Sequence, residues 1–286
     1  MVLPRRKGDI MKNEEKGGFG SIFGFLMTMV GFAVGVGSLW RFPYICGTNG
    51  GALFILTYII VIVIVGIPLL TAEMSIGYKS QKTAVGAYKV LEKPGSKWHG
   101  AGYIHLAAGW MINAYTTPIY AWVVVYVWRT ASGYFTGMDS KEINESFEAL
   151  NADHLTMFIG AFIAWALLAL VVSKGLQGGV EKISKVMIPA LGTIMIVCIV
   201  IGLRIPGSSK GLAFLFKPNF EEFGFAAFTA ALGQAFFAIG IGMLASMVFG
   251  SCIKNKGEHL VKDCSIISVS IIIAGVFAGL MIFPIC

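Results

Sequence analysis

Seven stretches of this chain contain no Asp, Glu, Lys or Arg: residues 17–40, 52–72, 100–128, 155–172, 186–203, 223–250 and 264–286. A helix needs about 20 apolar residues to cross a hydrocarbon core about 30 Å thick. Each run has that length, so each reads as one membrane-spanning helix. A membrane β-barrel would instead show segments of about ten residues alternating apolar and polar, and this sequence has none. Composition agrees. Charged residues make up 13% of the chain, against about 25% in a soluble domain. The fold expected is all-α and polytopic.

The formal net charge is +7, and its distribution reads as orientation rather than as a nucleic-acid surface. With the N-terminus in the cytoplasm and the spans alternating, 16 of the 22 Lys and Arg residues fall on the cytoplasmic side, as the positive-inside rule requires. The segment 134–154 carries Asp139, Glu142, Glu145, Glu148 and Asp153 against Lys141 alone, and so faces outward. Residues 1–18 are polar, lack a cleavable signal and read as a cytosolic tail. The bilayer is the expected partner, nucleic acid is not, and nothing in the sequence sets an oligomeric state. The setting expected is the plasma membrane.

Two of the spans are interrupted by glycine. The first contains "GFAVGVGSLWRFP" at 31–43, with Gly31, Gly35 and Gly37. The sixth contains "GQAFFAIGIGMLAS" at 233–246, with Gly233, Gly240 and Gly242. Glycine costs about 1 kcal/mol relative to alanine inside a helix. It also permits close helix packing in membranes, so either motif alone has two readings. Five helices apart, the pair fits a five-plus-five inverted repeat whose first and sixth helices break near mid-membrane, a plan that transporters use to bind substrates and ions. Glu73, near the inner end of the second span, is either an interfacial carboxylate or a group facing a cavity. Arg41 is either an interfacial anchor or part of a site.

Other chemistry is sparse. Cys46, Cys198, Cys252, Cys264 and Cys286 have no metal-ligand spacing and read as small apolar residues. His99, His105, His154 and His259 are too dispersed for a helical metal pair. No Ser/His/Asp set or phosphate loop is present, so an enzyme is not expected. Cys286 directly follows "AGLMIFPI" with no polar stop, which reads as a chain continuing beyond this point.

The segments "VGFAVGVGSLWRFPYICGTNGGALFILTY", "VGIPLLTAEMSIGYKS", "GGVEKISKVMIPAL" and "GQAFFAIGIGM" resemble the sodium-coupled neurotransmitter and amino-acid symporters, the LeuT-type family. The resemblance runs from about residue 17 to the end. It implies a LeuT-type five-plus-five transporter truncated after the seventh helix. Residues 19–204 would be the first repeat (helices 1–5) and 205–286 the start of the second (helices 6 and 7). The activity implied is sodium-coupled symport of an amino acid or related small molecule by alternating access. A transport-incompetent fragment is the competing reading.

The resemblance also implies roles. Carbonyls of Gly31 and Val34 would serve the second sodium site, and Ala33 with Ser38 the first. The N–H groups of Val36 and Gly37 would hold a substrate carboxylate. Ile112, Thr116, Phe237, Gly240 and Met243 would line a pocket made roomy by small residues, which suits a hydrophobic amino acid. Arg41, Gln234 and Phe237 would gate the outer side, Glu73 would brace the breaks, and Gly179 and Pro189 would allow the fifth helix to unwind.

The sequence departs from the family pattern where oxygen ligands are expected. Ser38, Ala238 and Ile271 stand at the side-chain positions of the first sodium site, which is therefore expected to be lost or weakened. Tyr58 and Gln234 match a chloride site, but Ala238 and Gly275 lack its hydroxyls, so no chloride requirement is expected. Thr116 stands where a substrate-contacting tyrosine belongs. Pro118 is a candidate to rotate the neighbouring Tyr115 inward.

Overall fold

The computed structural model describes residues 18–35, 37–218, 220, 223–253 and 259–285. Helix α1 (Ile22–Val34) begins at Ser21, whose hydroxyl accepts from the Gly24 N–H at 3.0 Å. It stops at Gly35 and resumes as a π-helical turn, Gly37–Arg41, that runs into α2 (Phe42–Gly47). The two halves are bent by 41°. The second span is one 29-residue unit, with α3 (Ala52–Val61) and α4 (Ile67–Ser80) joined through a π turn at Ile62–Gly66. Each π turn ends two residues before a proline, Pro43 and Pro68, in the first turn of the next helix. Proline removes a donor and crowds the preceding turn, and a π turn lets the backbone absorb the mismatch without leaving the helix.

Short α5 (Ala84–Leu91) leads to α6 (Gly100–Ala131). Pro118 lies inside α6, which remains continuous. The acidic segment 134–154 folds largely as α7 (Ser140–Ala152), started by a reciprocal capping box between Asp139 and Glu142. It is tied to α6 where Trp122 Nε1 donates to Asn151 Oδ1 at 2.8 Å and Arg129 donates to Ser146. Then come α8 (His154–Ser173), a π segment at Leu176–Glu181, and α9 (Lys182–Gly202). The connection at 205–222 contains α10 (Ser208–Phe216). The sixth span is α11 (Phe225–Ile239) and α12 (Ala245–Ser251), separated by a non-helical stretch. Helix α13 (Leu260–Ile282) is the seventh.

Among the described residues, four helices are long and apolar enough to cross a membrane, or five when the bent first pair is counted as one span. The other two sequence runs are the polar-dotted α6 and the interrupted sixth span.

Burial separates an inner group from an outer one. One hydrophobic cluster joins Phe25, Met29 and Ala33 of α1, Phe42 of α2, Tyr58 of α3, Leu70 and Met74 of α4, Ala235 and Ala238 of α11, and Ile267 and Ile271 of α13. In the second and seventh spans 33% and 39% of the apolar window is buried, against 6% in α8 and 11% in the fifth span. The first, second, sixth and seventh spans therefore form the packed body, and α8 and α9 flank it.

Apolar side chains gain little from leaving lipid for protein, so membrane helices associate through close, small-residue contacts. Gly77 of α4 faces the Met247 carbonyl of α12, and Gly250 of α12 faces the Met74 carbonyl of α4; a Cβ at either position would overlap the opposite backbone. This reciprocal contact clamps α12 to the second span. Gly77→Val is expected to cost about 1–3 kcal/mol through overpacking and to lower the thermal midpoint of the purified protein in detergent. Gly192→Ala, a helical position with open space around it, serves as the control and should not lower it.

Candidate functional site

The two interrupted helices meet. At the first break, Gly35 has backbone angles outside the helical region. At the second, Gly240, Gly242 and Leu244 all have positive φ, between 70° and 77°. Glycine adopts that conformation without a Cβ penalty, which explains why the sixth span can open there. The other three glycines of the two motifs lie within helical turns. Gly31 lets α1 approach α9, since a Cβ would come 2.9 Å from Ile188 Cδ1. Gly37 faces Phe237 and Ala238 across the gap between the two broken helices. Gly233 has open space around it and sits within α11 away from the break.

Backbone groups freed at a break inside a membrane need partners from the protein, and two side chains provide them. Glu73 Oε1 accepts from the Gly242 N–H at 2.9 Å. Gln234 Nε2 donates to the Gly37 carbonyl at 2.8 Å, while its Oε1 accepts from Arg41 at 3.1 Å. The Arg41 guanidinium also lies 4.6 Å from the centre of the Phe237 ring, within cation–π range. Arg41, Gln234, Phe237 and Gly37 thus form one assembly across the first and sixth spans. Glu73, 8% exposed, anchors the sixth span to the second.

The remaining expected residues fall as follows. Val36 lies outside the described residues. Gly31 and Val34 face α9 and α13, with Val34 packed in a small cluster that includes Val30 and Ala274. The Ser38 hydroxyl donates to the Ala33 carbonyl at 3.0 Å and is fully buried. Ala238 and Ile271 are part of the hydrophobic core. Thr116 is buried, its hydroxyl donating to the Ile112 carbonyl of its own helix at 3.0 Å. Met243 lies in the second break, its carbonyl near Gly109 of α6.

Two expectations change. Pro118 does not turn Tyr115 inward: Tyr115 is 52% exposed and Thr116 holds the buried position. Gly240 does not make the pocket roomy either, because the Phe32 ring fills the space beside it, within 2.6 Å of where a Cβ would stand. Phe32 is a site residue that sequence reasoning missed; its spacing in α1 reads as an ordinary lipid-facing aromatic. The fifth span is wound, as a π segment through Gly179 and an α-helix through Pro189. Gly179 is required there, since a Cβ would overlap the Val171 carbonyl of α8.

Glu181, in the same π segment, was also missed. It is 2% exposed, yet it accepts from the Gly20 N–H at 2.8 Å and the Ser21 hydroxyl at 3.3 Å, and pairs with Lys185 at 2.6 Å. Gln177 donates to the Gly18 carbonyl beside it. The start of α1 is thereby fastened to the fifth span. Gly24 gives the Glu181 side chain its space, since a Cβ there would overlap it. No local sequence signal pairs residues 160 positions apart. A cavity of about 380 Å³ opens near this end, between Phe19–Leu26 and Leu260–Ile266, away from the two breaks.

A family model for the sodium:neurotransmitter symporter family matches residues 16–137 and 129–286. The uncharacterized sodium-dependent transporter YhdH of Bacillus subtilis (strain 168) is 33% identical over 264 residues, which cover 92% of this chain and 58% of that protein. The mouse sodium-dependent neutral amino acid transporter B(0)AT2 is 24% identical over 307 residues, 96% of this chain and 41% of that protein. The crystal structure of MhsT in complex with L-phenylalanine matches with a TM-score of 0.85 at 32% identity, covering 94% of this chain and 60% of MhsT. The chain spans 60% or less of the length of these three relatives. They are transporters, not enzymes. With the LeuT-type arrangement of its helices and a family match over nearly its whole length, this chain belongs to the sodium:neurotransmitter symporter family.

Proposed function

We propose that this chain forms the first repeat (19–204) and the beginning of the second (205–286) of a plasma-membrane symporter, with its N-terminus in the cytoplasm. The transporter moves a hydrophobic amino acid with sodium by alternating access. The observation that carries this reading is the meeting of two broken helices whose freed peptide groups are steered by Gln234 and Glu73. A substrate carboxylate binds at the N–H groups of Val36 and Gly37. Its side chain lies among Ile112, Thr116, Phe237 and Met243, and Phe32 shortens the pocket beside Gly240. Phenylalanine in MhsT and neutral amino acids named for B(0)AT2 support that substrate class.

Sodium couples through the second site, at the Gly31 and Val34 carbonyls. The first site is degraded. Ala238 and Ile271 supply no side-chain oxygen, and the Ser38 hydroxyl is already bonded to the Ala33 carbonyl that would be its co-ligand. A hard cation needs several oxygens, and these positions are packed as apolar core. Among the described residues the chloride position is incomplete: Tyr58 offers a buried hydroxyl without a partner, but Ala238 and Gly275 add none. Both ends of the Gln234 amide are engaged, and the Phe42 ring closes over Gly275, 3.2 Å from where a Cβ would start.

The test is uptake of labelled phenylalanine or leucine by the full-length protein in liposomes. An inward sodium gradient should drive uptake with one sodium per substrate, and a potassium gradient should not. A stoichiometry of two would contradict the loss of the first site. Replacing chloride with gluconate should leave the initial rate unchanged, and a large loss would contradict the chloride reading.

Glu181 holds the cytosolic end of α1 closed on the fifth span, and its release accompanies opening toward the cytosol. Glu181→Gln keeps the shape and removes the charge shared with Lys185, Gly20 and Ser21. It should raise the KM for sodium by at least about threefold through a shift toward the open state, with protein yield retained. An unchanged KM would show that the contact is only structural.

A further inference from the structure

Beside the two breaks lies a buried polar pair that the site above does not use. Glu73 of α4 faces His105 of α6, with 3.7 Å between Glu73 Oε1 and His105 Nδ1, beyond hydrogen-bond range. Glu73 Oε2 and His105 Nδ1 are buried without a hydrogen-bond partner, and the Ser246 hydroxyl of α12 stands beside the carboxyl. An unpaired carboxyl oxygen facing an unpaired imidazole nitrogen is costly, because buried donors and acceptors are normally satisfied. On the far side of the imidazole, the Tyr88 hydroxyl of α5 stands 3.5 Å from Nε2, with the two rings edge to face. Tyr88 is only half-buried. It lies in the segment 76–99, whose five lysines place it on the cytosolic side. A polar line therefore runs from that face through Tyr88 and His105 to Glu73, and from Glu73 to the Gly242 N–H in the broken sixth helix.

We propose that the Glu73–His105 pair is a proton-binding site loaded from the cytosol, and that its occupancy sets how firmly Glu73 holds the break at Gly242. This rests on the transport reading above. The proton comes from cytosolic water and adds to the imidazole; no covalent bond between heavy atoms forms or breaks. Imidazolium has two N–H donors. Nδ1–H then donates to Glu73 and Nε2–H to the Tyr88 oxygen, while the carboxylate balances the new charge. A neutral imidazole has one N–H and serves only one of the two neighbours as donor. A positive charge moving toward Glu73 Oε1 competes with the Gly242 N–H for the same oxygen, which is how the proton reaches the substrate site.

The titratable and polar groups facing the pair come from every element packed on it. Tyr88 comes from α5, His105 from α6, and the Gly242 N–H and Ser246 from the broken sixth span. Cys264 of α13 turns to Met74, with 3.3 Å between the sulfurs, rather than to Glu73.

Two measurements on the full-length protein in liposomes test the site. The first follows the ¹⁵N signals of the His105 imidazole, assigned by their loss in His105→Gln, between about pH 5 and pH 8, the range over which imidazoles change charge. The signals should titrate, and the titration should move in Glu73→Gln. A His105 that keeps one protonation state across this range overturns the proposal, and so does a titration indifferent to Glu73; a bridging water in place of a proton gives the first result. The second measurement is the initial rate of sodium-driven uptake against internal pH at fixed external pH. It should change by about fivefold or more, a usual size for coupling between sites, and His105→Gln should flatten the response. A response that persists in His105→Gln, or one that follows only external pH, overturns the coupling. Absence of uptake at every pH would contradict the transport reading, and the imidazole signals would still decide the proton site.

Discussion

A peptide group released from a helix inside a bilayer has no water to turn to, and the fold described here is arranged around that constraint. Both interruptions lie in the packed body rather than in the lipid-facing helices, and each is reached by a side chain from another part of the chain. Gln234, in the sixth span, takes the Gly37 carbonyl of the first; Glu73, in the second, takes the Gly242 N–H of the sixth. Because these partners belong to different helices, neither break can move without disturbing a neighbour. That coupling is what a binding site at the breaks needs to pass its state to the rest of the protein.

The surrounding packing makes the arrangement firm on one side and adjustable on the other. Gly77 and Gly250 bring α4 and α12 into backbone contact, so the segment beyond the second break moves with the second span. The first span is held differently. Its N-terminal half is fastened to the fifth span by polar contacts to Glu181 and Gln177. Polar contacts near a membrane surface can be exchanged for water, whereas interlocked glycines cannot. The start of α1 is thus held by exchangeable polar contacts, and α12 by interlocked backbone. The π segment that carries Gly179 and Glu181 departs from α-helical winding next to that polar fastening.

Much of this was legible in the sequence. Uncharged run lengths gave the helices, and the two glycine motifs gave the breaks, because positive φ at Gly240 and Gly242 is a property of the residue itself. The limits were equally physical. Gly31 and Gly35 look alike in sequence, but the first serves close packing against Ile188 and the second ends a helix; the difference lies in what faces them. Gly240 suggested space only until Phe32, the second residue of the first glycine motif, was seen to fill it. Leu244 has positive φ without being glycine, so no composition rule finds it. Glu181 and His105 depend on contacts between distant helices, Glu181 with Gly20 and His105 with Glu73, and a single sequence does not reveal such pairs. Ser38, Ala238 and Ile271 were informative for the opposite reason. A hydroxyl or amide missing from a family position is visible without any coordinates, and the structure adds that the space is filled by core packing.

Under the proposed function, the two breaks together form a site for one amino acid and one sodium ion. An experimental structure of the full-length protein with sodium and phenylalanine tests it most directly. The claim predicts a substrate carboxylate at the Gly37 N–H, its side chain beneath Phe237, and a single sodium at the Gly31 and Val34 carbonyls. A substrate bound away from the two breaks, or a second sodium held between Ala33 and Ser38, would contradict it.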